Sequence, residues 1–84
     1  MKTKNAIEKL KKAGFKVENV QSNRYEASKT DLRSIICFFD QEGSVVCLHI
    51  EYKNDRPDSQ TDYFPGIWSI SSLKYAIERA EAIK

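Results

Sequence analysis

The stretch from Ser34 to Lys53, SIICFFDQEGSVVCLHIEYK, limits the fold more than any other. Two runs rich in β-branched and aromatic residues flank the polar Gln41-Glu42-Gly43, the pattern of a long β-hairpin. A three-residue loop with Gly last is the usual type I turn followed by a bulge. That loop sets Asp40 opposite Ser44, Phe38 opposite Val46, Ile36 opposite Leu48 and Cys37 opposite Cys47. Successive side chains of a strand point to opposite faces, so the register sorts them. One face collects Ile36, Phe38, Val46, Leu48, Ile50 and Tyr52 and reads as the core side. The other collects Ile35, Cys37, Phe39, Val45, Cys47 and His49, with Glu51 at its end, and is unusually apolar for a surface open to water.

Elements with weaker signals frame the hairpin. Ala6, Ile7, Leu10 and Ala13 recur at helical spacing, with Thr3 or Asn5 as the expected N-cap and Gly14 as the helix-ending residue. FKVENV and RYEAS alternate as short strands around Gln21-Ser22-Asn23. Leu73, Ala76, Ile77 and Ala80 return to helical spacing, with Ser71 or Ser72 as the cap. The resulting order is α-β-β-β-β-α, a two-layer α+β domain over residues 1–84. Its sheet is an antiparallel meander of three to four strands, with both terminal helices on one face.

Composition bounds the function. The chain has 84 residues, 40% apolar and 31% charged, which suits one small folded domain. A net charge of +2 gives no strong pull toward nucleic acid or an anionic membrane. No apolar run approaches the roughly 20 residues of a membrane span, and MKTKNAIEKL lacks the apolar core of a signal peptide. These features predict a cytoplasmic protein whose Cys37 and Cys47 stay reduced.

The segment DRPDSQTDYFPGIW, residues 55–68, holds both prolines and the single Trp. Asp55, Asp58 and Asp62 offer oxygen ligands, yet the segment lacks the Gly and final Glu of a calcium loop. It reads as a solvated acidic loop followed by a hydrophobic latch, with Pro65-Gly66 in a type II turn and Phe64 and Trp68 plugging the core. A second reading makes Asp58, Asp62, Tyr63 and Trp68 an acidic and aromatic patch for a basic partner.

The layout of helix-Gly-strand, the DQEGSVVCLHI hairpin, TDYF and LKYAIERA resembles small α/β proteins of phages and conjugative or other mobile elements. That resemblance covers most of the chain and implies an accessory protein that acts by binding. It carries over no catalytic residue.

The chemical motifs are thin. Cys47, His49 and Glu51 follow one another at every second position of a strand, a spacing from which side chains can share a metal, with Cys37 opposite. There is no second His and no C-x-x-C, so neither a metal nor a cofactor is expected. His49 is the sole candidate base for a cysteine nucleophile and lacks a third orienting group, so no enzyme is expected. Lysines crowd the first helix. Lys2, Lys9 and Lys12, with Lys74 on the last helix, provide the alternative reading of a double-stranded RNA- or DNA-binding surface. The preferred reading is a non-enzymatic protein–protein interaction module. Its contact face is Ile35, Phe39, Val45, Cys47 and His49, buried against a partner or in a homodimer. The alternative is that the sheet curls, or that a terminus or the 54–68 loop covers that face.

Overall fold

A computed structural model describes residues 1–52, 61–64 and 70–82. Helix α1 (Thr3–Lys12) precedes strands β1 (Lys16–Asn19), β2 (Arg24–Ser28), β3 (Ser34–Gln41), β4 (Ser44–Tyr52) and β5 (Thr61–Phe64), and helix α2 (Ile70–Ala82) follows them. The strands lie side by side in chain order, and each neighbouring pair is antiparallel. The α+β class and the meander between terminal helices are as expected. The sheet gains a fifth strand because Thr61–Phe64, read from sequence as part of a loop, pairs with β4. TDYF runs on from the acidic, Pro-containing residues 55–60 and straight into Pro65-Gly66, and turn signals on both sides made it read as loop. Asp55, Asp58, Pro65, Gly66, Ile67 and Trp68 lie outside the described residues.

Both helices cover one face of the sheet. Ala6 and Leu10 of α1 and Leu73, Ala76, Ile77 and Ala80 of α2 join Ala27, Ile36, Phe38, Leu48 and Ile50 in a single apolar cluster. Tyr25 stacks on Phe38 at its margin, ring centroids 5.2 Å apart. The hydroxyl of Ser34, fully buried, donates to the Ala80 carbonyl at 3.1 Å and ties β3 to the end of α2.

Helix α1 ends as its sequence predicts. Gly14 takes φ +94°, a left-handed value that favours glycine. The Phe15 amide bonds back to the Leu10 carbonyl and the Gly14 amide to Lys11, each at 3.0 Å. This paired closure is a Schellman motif, with Phe15 and Leu10 both in the core. The start of the helix differs from expectation. Lys2 is the N-cap, without a side-chain capping bond. Thr3 is already helical, and its hydroxyl donates to the Asp40 carboxylate, fastening α1 to the hairpin. Ser71 and Ser72 likewise lie within α2 and not ahead of it.

The β3–β4 hairpin departs from the expected register in two compensating ways. Its loop holds two residues, because Gln41 pairs with Ser44. Glu42 and Gly43 take φ 53° and 85°, the pair of positive values a type I′ turn needs. The residue removed from the loop reappears as a bulge. Phe39 faces Cys47 while Asp40 faces Val45, so Val46 is left opposite no partner. Beyond the bulge the register has slipped by two, Phe38 meets Leu48 and Ile36 meets Ile50, and the two faces keep their expected membership. Before the bulge the faces exchange. Val45 turns into the core at 5% exposure and Val46 turns out at 48%, the reverse of the sequence-based assignment.

This geometry sets a mutational contrast. Val45→Ala should lower the unfolding free energy by about 2 kcal/mol through loss of buried methyls. Val46→Ser should change it by less than about 0.5 kcal/mol. Chemical denaturation of both variants checks the bulge, and an inverted order would place it elsewhere.

Candidate functional site

The open face of the sheet is built by the strand register. In β2, Ala27 belongs to the core and Tyr25 packs against it, so Arg24 and Glu26 project to the other side. Arg24 lies opposite Phe39, and Glu26 opposite Cys37. Across the next pair, Cys37 meets His49, Ile35 meets Glu51 and Phe39 meets Cys47. Tyr63 occupies the register position opposite His49 on β5. A row therefore crosses four strands through Glu26, Cys37, His49 and Tyr63. Among the described residues no helix lies over it.

Arg24 organises the centre of this face. One guanidinium nitrogen donates to both Glu51 carboxylate oxygens at 3.2 Å and to Cys37 Sγ at 3.4 Å. Glu26 lies 3.9 Å from Arg24 Nε. The guanidinium also stands over the Phe39 ring, 5.5 Å from its centroid, an arrangement that adds a cation–π attraction. His49 Nε2 is 2.9 Å from Glu51 Oε1, and the His49 ring tilts against Phe39 at 6.0 Å.

The electrostatics follow from this packing. Burial pushes the Cys37 thiol up to about 12, helped by the neighbouring Glu51 and Glu26 charges and opposed by Arg24. Burial alone would raise Glu51 too. Hydrogen bonds from His49 and Arg24, together with their charges, overcome it and hold the carboxyl below its usual value. Arg24 is held above its ordinary value. Burial works against that, but the Cys37, Glu51 and Glu26 groups around it prevail.

Three chemical consequences follow. A thiol that stays protonated and has no exposed surface is a poor nucleophile, although His49 and Glu51 form the base-and-orienter pair that cysteine catalysis uses. The register gives no basis for a disulfide across the hairpin, because Cys37 faces His49 and not Cys47, and both cysteines are free. The metal-sharing trio read from the sequence is also re-sorted. Cys37 Sγ, a His49 ring nitrogen and a Glu51 oxygen lie within 4.8 Å of one another, so Cys37 takes the place given to Cys47.

The expected contact residues divide accordingly. Ile35, Phe39, Cys47 and His49 remain together on the open face, all half-buried. Val45 leaves it for the core, because the bulge reverses alternation at that point. Asp62 and Tyr63 fall on β5. Asp58 and Trp68 lie outside the described residues. Arg24, the organising group, is absent from the sequence-based set. The alternation in RYEAS places it beside Glu26, but only pairing with β3 reveals what it touches.

The lysines of the alternative reading also separate. Lys9, Lys12 and Lys74 line one groove between α1 and α2, with Ala13, Ile77 and Glu78. Lys2 bridges to Ser44 at the opposite end of α1. Among the described residues no helix is long and apolar enough to cross a membrane.

Compared with known proteins, the chain matches no family model, and neither a curated protein nor a solved structure shows significant similarity to it. Nothing in those comparisons bears on the resemblance to phage and mobile-element proteins.

Thiol labelling separates the two cysteines. In the folded protein at neutral pH, Cys47 should react with a disulfide reagent while Cys37 reacts only on unfolding. The same total with and without prior reduction should be found in denaturant. Two equally fast native thiols would contradict the burial of Cys37.

Proposed function

We propose that the protein is a small non-enzymatic interaction module that pairs with a second copy of itself through the open face of its sheet. The observation that carries this reading is the arrangement of Ile35, Phe39, Cys47 and His49 around the Arg24–Glu51 pair on a face that neither helix among the described residues covers. Aromatic and Arg side chains held by their neighbours are the groups that anchor contacts, because little freedom is lost on binding. The charges favour a like partner. Arg24, Glu26 and Glu51 place both signs within one patch, so a two-fold axis through it can set each sign against its opposite. A strongly acidic or strongly basic partner would meet repulsion from one of them. The Cys37 thiol, buried and protonated, favours a binding role over nucleophilic catalysis.

Sedimentation velocity over a wide concentration series tests the pairing. The wild type should show a concentration-dependent dimer that Phe39→Glu abolishes while the circular dichroism spectrum is kept. A wild-type monomer throughout the series would refute it.

A second reading is favoured by one specific observation, the convergence of Lys9, Lys12 and Lys74 on the α1–α2 groove. Three lysines there suit the phosphates of a double-stranded nucleic acid. Glu78 on the same groove weakens the field, which ranks this reading second. Duplex binding that falls steeply with salt, and that is lost in a Lys9→Gln, Lys12→Gln, Lys74→Gln triple variant, would support it. Salt-insensitive binding would count against it.

A further inference from the structure

The cluster at the centre of the open face has a donor set beyond what a contact surface requires. Cys37 supplies sulfur, His49 a ring nitrogen and Glu51 an oxygen, and the three donor atoms lie within 4.8 Å of one another. We propose that Cys37 Sγ, His49 Nε2 and the Glu51 carboxylate form a binding site for a divalent transition-metal ion, zinc being the best match, and that Arg24 competes with the metal for this place.

The donor chemistry selects the ion. Mixed sulfur, nitrogen and oxygen ligands suit zinc and its neighbours, whereas calcium and magnesium take oxygen alone. The geometry is near what a tetrahedral ion needs. Zinc bonds of roughly 2.0–2.3 Å place neighbouring donors about 3.5 Å apart. The His49–Glu51 contact at 2.9 Å is already shorter than that, so small rotations of side chains reach it. Cys37 and His49 stand directly opposite on two central strands, and Glu51 follows two residues after His49. The backbone under all three is therefore held by the sheet. Three protein donors leave the fourth position for water or a small ligand, as in open zinc sites.

A cation already fills this position. The Arg24 nitrogen bridges the Glu51 carboxylate and Cys37 Sγ, so it satisfies the negative charge that a metal would otherwise meet. Metal entry requires that nitrogen to withdraw, and the thiol proton leaves to solvent as the Cys37–metal bond forms. Glu26, 3.9 Å from Arg24 Nε, and the Phe39 ring give the displaced guanidinium a place on the same face. The lines of competition are thus drawn between one side chain and one ion. Every donor belongs to one chain, so the site is complete without a second copy, although it lies on the face proposed to pair.

Cobalt(II) titration of the reduced protein, free of chelator, is the test. The wild type should show a thiolate-to-cobalt charge-transfer band with tetrahedral d–d absorption, saturating at one ion per chain and erased by zinc. Cys37→Ser and His49→Gln should remove the band, and Cys47→Ser should keep it. Arg24→Gln should tighten binding by about tenfold, the size of effect that groups neighbouring metal ligands exert. Circular dichroism confirms that each variant is folded. Should Cys37→Ser fail to fold, loss of the band in His49→Gln alone supports the site and its persistence there refutes it. A band absent from both wild type and Arg24→Gln, or one that follows Cys47 in place of Cys37, overturns the proposal.

Discussion

The extra residue in β4 governs much of the molecule. With Val46 bulged out, the hairpin closes through a two-residue turn, and the later half of β4 slips by two against β3. That slip brings His49 opposite Cys37 and carries Cys47 to Phe39. Before the bulge, Val45 enters the core, and its backbone amide bonds to the Met1 carbonyl at 2.9 Å. The Thr3 amide bonds to the Gly43 carbonyl, also at 2.9 Å. The start of the chain is thus laid against the hairpin end, from which α1 sets off across the core face. Bulges commonly re-aim side chains near working surfaces, and here one bulge serves both faces of the sheet.

The consequence on the open face is a charged centre with an apolar surround. Half-buried carboxylates and cations are costly when unpaired, because a low-dielectric setting removes the water that would solvate them. Arg24 answers that cost by touching Glu51, Cys37, Glu26 and Phe39 at once. Its planar fork suits the role where a lysine's single point of charge would not. The same concentration of acceptors that fixes Arg24 is what gives a divalent ion something to bind. One set of side chains therefore reconciles a rigid contact face with a competing metal position.

Much of the architecture was legible in the sequence. Period-3.6 spacing marked both helices, Gly14 marked the end of α1, and long runs rich in β-branched and aromatic residues marked β3 and β4. The face assignments for Ile36, Phe38, Leu48 and Ile50 held because the two deviations, a shorter loop and a bulge, cancel in parity. They do not cancel for Val45 and Val46, which is where alternation failed. A bulge has no side-chain signature here, since adjacent valines serve equally well inside or out. The site was only half legible for a related reason. Cys37, His49 and Glu51 were visible as chemistry, but their proximity depends on register, and the part of Arg24 depends on a third strand. Strand β5 was hidden by the turn-forming residues on either side of it, the acidic run before and Pro65-Gly66 after.

The claim on which the site rests is that Cys37 and His49 are direct cross-strand partners. Backbone proton contacts between β3 and β4, measured by nuclear Overhauser spectroscopy on the isotope-labelled protein, read this pairing without disturbing it. Cross-strand contacts should link Cys37 with His49 and Phe39 with Cys47, and place Asp40 near Val45. Contacts linking Cys37 with Cys47 and Phe38 with Val46 would contradict it, because the hairpin would then lack the bulge and the Cys37–His49–Glu51 cluster would not assemble.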